Sequence, residues 1–146
     1  MLKIDLHTHT IRSHCGFNTL FEMAKAASER KVKILGSTDH GPFKHGDDSA
    51  SFNLFRRIPK ELFGVRIVFG VEANILDDKG DLGLPVKLLE RLPLVAAGFH
   101  SDCAYEDKGF EGNTKAMIEV LKLPFVKVIT HPYLGFFKKD IEKIAE

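Results

Sequence analysis

Five short apolar runs in this chain each end on a histidine or a glutamate. They close on Asp5-Leu6-His7-Thr8-His9, Thr38-Asp39-His40, Gly70-Val71-Glu72-Ala73-Asn74, Gly98-Phe99-His100 and Thr130-His131-Pro132. From His7 the steps to His40, Glu72, His100 and His131 are about 33, 32, 28 and 31 residues, each about one βαβ unit. His7 and His9 are two apart on a strand and leave it on one face, a two-point imidazole grip. Glu72 adds a carboxylate able to bridge two cations, and His100 and His131 arrive from the next two strand ends. Imidazole with carboxylate suits Zn2+, Mn2+ or Fe better than Mg2+ or Ca2+. Asp5 and Asp39 precede ligands and are expected to orient the imidazoles from behind. A lone strand-end histidine is ordinarily a satisfied polar residue. Five such ends in register would crowd desolvated imidazoles at a high cost without a metal.

The elements that must carry these residues follow from the pattern. Strands are expected at 2–7, 32–37, 65–71, 94–99 and 124–129. Helices are expected at about 20–31, 52–58, 86–92 and 138–145, and another capped by Asn113 or Thr114 and running to 122. Thr19 and Glu22 fit a capping box. Residues 41–51 and 101–112 read as polar loops, and Asp77-Asp78-Lys79-Gly80-Asp81 as a turn. The strands are nearly continuous apolar runs, which suits a parallel sheet. Five βα units in series indicate an α/β barrel of the TIM type or a relative, with its chemistry at the C-terminal strand ends. A closed barrel usually needs more than five strands. The chain is therefore either a piece of a barrel or an incomplete barrel whose open edges an oligomeric partner covers.

Composition narrows the class. The 146 residues are about one domain. With 21 Lys and Arg against 20 Asp and Glu, the formal net charge is +1, no electrostatic basis for nucleic acid or an anionic membrane as main partner. No apolar run approaches the roughly 20 residues of a membrane span. The N-terminus reads as a strand rather than a signal peptide. Cys15 and Cys103 make no disulfide framework, so the default compartment is the reducing cytoplasm.

Other groups are weaker candidates. His45 falls in the polar loop after the second strand and is expected at the surface. Phe17, Phe43, Phe136 and Phe137 lie near strand ends, where packing is favoured over walling a pocket. Lys138 and Lys139 read as a solvated helix start rather than a phosphate site, and Cys103 as a plain loop thiol. No Gly-rich phosphate loop or Gly-x-Ser-x-Gly elbow is present.

These motifs, together with Asp5-Leu6-His7-Thr8-His9-Thr10, Thr38-Asp39-His40-Gly41-Pro42, Ala97-Gly98-Phe99-His100 and Asn113-Thr114-Lys115-Ala116-Met117, give the chain a family. It resembles the PHP (polymerase and histidinol phosphatase) superfamily over essentially its whole length, and looks most like the small bacterial stand-alone PHP phosphatases with a trinuclear metal site. The resemblance implies a distorted (β/α)7 TIM-like barrel, of which about five βα units are present, and a single PHP domain over 1–146. It implies two or three Zn2+ ions, with Mn2+ or Fe as alternatives. His7, His9 and Glu72 would hold one, and Glu72, His100 and His131 a second. His40 would help hold a third with a histidine from the loop after strand one.

Two departures stand out. Cys15 occupies the place of that loop histidine, so either the adjacent His14 replaces it or Cys15 itself ligates. The family's last motif, of the Ser-Asp-x-His type, is not among these 146 residues. It would give an Asp to the first metal and a His to the third, so only the second set has its protein ligands intact. The activity implied is metal-dependent hydrolysis of small phosphomonoesters, with His7, His9, Glu72, His100 and His131 as the reaction centre. The alternatives are a catalytically incomplete PHP fragment that only binds metal, and a PHP nuclease or editing domain.

Overall fold

In the computed structural model, residues 2–42, 49–101, 103–133 and 137–146 are described. His45, Phe43 and Phe136 lie outside them. The order is β1 (Ile4–Thr8), α1 (Leu20–Glu29), β2 (Ile34–Ser37), α2 (Ser49–Phe52) with a 3-10 turn at Asn53–Arg57, β3 (Glu61–Leu62), β4 (Val65–Asn74), α3 (Val86–Leu89), β5 (Leu94–Gly98), α4 (Gly109–Leu121), β6 (Val128–Ile129) and α5 (Ile141–Ala145).

The strands β1, β2, β4, β5 and β6 pair in that order, all parallel, and β3 adds antiparallel to β4. Ten-residue β4 is the spine. Its first half pairs with β2 (Ile34↔Arg66 to Ser37↔Phe69) and its second half with β5 (Gly70↔Leu94 to Asn74↔Gly98). That stagger is the shear a sheet needs in order to curl. The result is a curled parallel half-barrel, a partial TIM-like barrel of the type the motifs imply. Among the described residues β1 and β6 do not pair with each other.

Two apolar clusters hold the sheet. The larger joins β4 and β5 to α3 and α4 through Val71, Ala73, Leu88, Leu89, Val95 and Met117, with Phe52 and Phe69 at one end. The smaller sits under α1, where Ala24 and Ala27 meet Leu35, Val65 and Ile67. The α1 start is the expected capping box: Glu22 N–H donates to Thr19 Oγ1, and Thr19 N–H donates to Glu22 Oε2 at 2.7 Å.

Several expectations are corrected. Helix α4 begins at Gly109, four residues before the expected cap. Asn113 is fully buried inside it and joins loop to helix: its Oδ1 accepts from Tyr105 Oη and Lys108 N–H, and its Nδ2 donates to Asp107 and to the Lys138 carbonyl. The expected strand 124–129 shrinks to Val128–Ile129, because Val126 N–H turns back to the Leu123 carbonyl. The helix expected at 52–58 is a short α-turn from Ser49 followed by 3-10 structure. The β3–β4 hairpin was not expected; its turn puts Phe63 and Gly64 at positive φ, 52° and 73°. No helix among the described residues is long and apolar enough to cross a membrane.

Candidate metal centre

The C-terminal strand ends converge on one carboxylate. Glu72, near the end of β4, is fully buried. The chain leaving β2 is clamped along it: Glu72 N–H donates to the Asp39 carbonyl at 3.0 Å and Gly41 N–H to the Glu72 carbonyl at 2.8 Å. Five imidazoles face its side chain. His7 Nε2 and His131 Nε2 stand 3.1 and 2.8 Å from Oε1, with His100 Nε2 at 3.4 Å. His9 Nε2 and His40 Nδ1 are each 3.2 Å from Oε2.

The imidazoles also close a ring among themselves. Centroid separations from His7 to His9, His40, His100, His131 and back to His7 are 5.0, 4.5, 4.6, 5.2 and 5.6 Å. The six residues expected from the five strand ends are therefore brought together. His40 comes closer than the resemblance implies, grouping with Glu72 and His100.

Electrostatics define what this ring fits. Burial alone would raise the Glu72 pKa, but the imidazoles of His100, His131, His7 and His9 beside it outweigh burial and hold the carboxyl well below its usual range. The bond to Glu72 is also the main reason the His7 pKa is raised; burial opposes it, and the charges of Glu72 and Asp5 add. Five protonated rings around one carboxylate would leave several uncompensated positive charges. At about 5 Å and an effective dielectric near 20, each pair repels by roughly 3 kcal/mol. Neutral rings avoid that repulsion but still crowd nitrogens together, as where His7 Nε2 and His9 Nε2 meet at 3.0 Å. Buried Glu72 Oε2 and both ring nitrogens of His100 have no hydrogen-bond partner. Divalent cations among neutral imidazoles resolve all three problems, so the donor set fits the metals its chemistry calls for.

A loop covers one side of the ring. Ser13 N–H donates to the Thr10 carbonyl, Gly16 N–H to the Ser13 carbonyl and Ile11 N–H to the Asn18 carbonyl. A Cβ at Gly16 would lie 2.0 Å from the Thr10 carbonyl oxygen, so only glycine allows this closure. The Arg12 guanidinium lies over the rings of Phe52 and Phe69 at 5.5 and 5.4 Å and ties the loop to the larger core. The loop presents Cys15 Sγ to His9 and His40, the three ligand atoms lying within 4.8 Å of one another. His14 is exposed and joins no such group among the described residues. Burial of its sulfur pushes the Cys15 thiol up, against a lowering backbone hydrogen bond, with the charges of Glu72 and Asp39 adding to the rise.

Asp39 acts one bond further from the rings than expected. Its Oδ1 accepts from Thr10 N–H and Ser13 Oγ, and its Oδ2 from Thr10 Oγ1, at 2.6, 2.9 and 2.9 Å. Ser13 Oγ spends its proton on Asp39 and accepts from His40 N–H at 2.9 Å. At 3.4 Å from His9 Nδ1 it can only accept, so this contact favours the His9 tautomer protonated at Nδ1. Asp5 Oδ1 accepts from the backbone N–H of His7 rather than from a ring.

Sequence reasoning assigned no role to Ser13, Thr10, Gly98 and Thr130. A Cβ on Gly98 would lie 2.2 Å from Thr130 Oγ1 and 3.1 Å from His131 Cε1, so glycine is what lets His131 reach the ring. His131 itself has φ 32°, a region disfavoured by roughly 1–3 kcal/mol. Its bond to Glu72 and that of Thr130 N–H to the Ala97 carbonyl hold it there.

The weaker candidates stay outside the ring. Phe17 is 89% exposed. Phe137 packs on Phe99 and Tyr105. Lys139 donates to the Phe137 carbonyl and lies over Phe99. Cys103 packs against the larger core, its thiol directed at the Ile75 carbonyl.

A curled parallel half-barrel with a histidine-and-glutamate cluster at its C-terminal strand ends defines a class of α/β proteins with a donor set that could hold metal. Within it, the chain belongs to the PHP domain family, whose pattern matches residues 5–131. It is 46% identical over 143 residues to a protein named "Probable phosphatase" from Acetivibrio thermocellus, covering 97% of this chain and 59% of that one. Proteins of the same description from Caldanaerobacter subterraneus subsp. tengcongensis and Thermoanaerobacter sp. are 39% and 38% identical over 146 and 144 residues, covering 99% and 98% of this chain and 58% and 59% of theirs. The chain thus spans about three-fifths of the length of these relatives.

Proposed function

We propose that this chain carries the centre of a metal-dependent phosphomonoesterase that cleaves a small phosphorylated substrate to an alcohol and inorganic phosphate in the cytoplasm. The observation that carries the reading is the closed ring of five imidazoles around fully buried Glu72. The relatives named probable phosphatases support the choice of reaction, and the net charge of +1 favours a small substrate over nucleic acid.

His7, His9 and Glu72 would hold one cation, and Glu72, His100 and His131 a second. His40 would serve a third position with partners from the 10–18 loop. Zn2+ suits this donor set, with Mn2+ or Fe as alternatives. When bound, such cations supply Lewis acidity that acidifies the attacking water and neutralises charge on the phosphoryl group. The chain's own contribution is positional. Glu72 stays ionised at any working pH because its neighbours hold its pKa low. Asp39 and Ser13 favour the His9 tautomer protonated at Nδ1, and Gly98 admits His131.

A second reading, that these 146 residues bind metal without turnover, draws on the share of the relatives they span. Release of inorganic phosphate from a panel of phosphomonoesters, with Zn2+ or Mn2+ added, separates the two. Metal-dependent release abolished by chelator supports the phosphatase. A metal-loaded protein that releases nothing overturns it in favour of the second reading, and cleavage of single-stranded DNA without monoester turnover would favour a nuclease.

A further inference from the structure

The ring is not chemically uniform. Around Glu72, His7, His100 and His131 it offers only nitrogen and oxygen. On the side of the 10–18 loop it also offers sulfur. Cys15 Sγ, a ring nitrogen of His9 and one of His40 lie within 4.8 Å of one another. Glu72 Oε2 points at the same two imidazoles from below, at 3.2 Å from each. That oxygen belongs to a fully buried side chain and has no hydrogen-bond partner. A buried carboxylate oxygen facing two imidazoles, with a thiol beside those same imidazoles, is an arrangement that a cation completes.

We propose that Cys15 and His40, beside His9, form a thiolate-containing metal position that selects a borderline-soft divalent cation such as Zn2+ over Mn2+ or Mg2+. The proposal rests on the metal-centre reading above and adds to it the identity of the ligand and the metal it prefers. Binding breaks the Cys15 S–H bond, forms one metal–sulfur bond and releases the proton to solvent. Thiolate adds selectivity because it favours Zn2+ and softer ions, whereas carboxylate and water suit Mn2+ and Mg2+. The loop is built to hold the sulfur there: Gly16 permits its tight closure, and Arg12 anchors it over Phe52 and Phe69. Cys15 is exposed on its outer side, so a cation can enter from solvent without opening the core.

Co2+ is a spectroscopic probe for this position. Metal-free 146-residue protein is titrated with Co2+ while absorbance and bound metal are recorded. The wild type is expected to show visible ligand-field bands from the whole ring and a near-ultraviolet sulfur-to-cobalt charge-transfer band. Cys15→Ser is expected to lose the charge-transfer band and one equivalent of Co2+ while keeping the visible bands. Cys15→His should regain the equivalent without the band, and Cys103→Ser should match the wild type. Zn2+ should erase the band when added in equal amount, whereas a roughly 10-fold excess of Mn2+ should leave it. Co2+ bound by the wild type with no charge-transfer band, or a band unchanged in Cys15→Ser, overturns the thiolate position and leaves the rest of the ring as a metal centre. A wild type that retains no Co2+ overturns the metal centre and this proposal together.

Discussion

The two sides of the site are built differently. On the β4–β5 side the ligands grow from strands buried along nearly their whole length, and Glu72 is fully enclosed. On the β1 side the strand is largely half-exposed, the His7 side chain keeps 30% of its surface, and Cys15 hangs from a loop. The difference shows how one site can be both fixed and accessible. The charge that organises it stands in the fully buried second half of β4, where misplacement is costly. The side chains that would admit a cation under the proposed function stand where water reaches them. A change on the β4–β5 side should therefore disturb metal binding and folding together, and a change on the β1 side should alter metal binding with less effect on the fold.

The largest effect is expected at Glu72. Glu72→Gln keeps the shape but removes the charge that faces five imidazoles. Loss of an outer partner to a metal ligand typically costs 10–100-fold in affinity, so loss of this shared carboxylate should weaken binding by more than ~100-fold in calorimetric titration. Gly98→Ala follows. Its Cβ collides with Thr130 and His131, and overpacking of this kind costs about 1–3 kcal/mol. Denaturant unfolding should show that loss alongside weakened metal binding. If Gly98→Ala binds metal like the wild type, His131 does not need the close approach ascribed to it.

Between the two sides, Asp39→Asn, at a fully buried position just after β2, tests the relay through Ser13. Asn cannot accept all three bonds that Asp39 receives. Stability should fall by about 1–3 kcal/mol and metal affinity by ~10–100-fold. Ser13→Ala should reproduce much of the affinity loss with a smaller loss of stability, because it cuts the link to His9 while Asp39 keeps Thr10.

The pattern of strand-end residues made the site legible because ligands at parallel strand ends need no knowledge of long-range packing: the βα repeat alone brings His7, His40, Glu72, His100 and His131 to one end. What stayed hidden depends on contacts between distant segments. Asn113 reads locally as a helix cap, yet it lies inside α4 because Tyr105, Asp107 and Lys138 satisfy its side chain. The choice between His14 and Cys15 was open because one residue of loop register decides it, and the bonds of Gly16 and Ser13 set that register. Gly98 looks like an ordinary strand-end glycine until Thr130 and His131 are placed beside it. The β3–β4 turn was missed because Phe63-Gly64 carries no Asn-Gly or Asp-Gly signal.

Acidity should separate the metal-free and loaded states. In the metal-free protein the His7 pKa is raised above 6.5. Its contribution is then fully present below that value and lost as pH rises through the raised pKa. Glu72, with its pKa lowered, contributes above the ordinary carboxylate range and loses that contribution only as pH falls through the depressed value. Between about pH 6 and about pH 9 the metal-free Tm should therefore drift down as His7 deprotonates. The loaded protein should move the other way, because neutral imidazoles and a deprotonated thiol bind metal better. Parallel scanning-calorimetry profiles for the two forms would show that protonated imidazoles, not metal, satisfy the ring. The smallest effect is expected far from the site. Thr19→Ala removes the α1 cap and should cost ~1 kcal/mol while leaving metal affinity unchanged.

The most direct measurement is the metal content of wild-type and Glu72→Gln protein after Zn2+ loading and gel filtration, read by inductively coupled plasma mass spectrometry. The proposed function predicts at least two retained ions per wild-type chain, because Glu72 would be shared between two ligand sets, and the loss of at least one in the variant. A wild type that retains no metal, or a variant that retains as much as the wild type, would contradict the account.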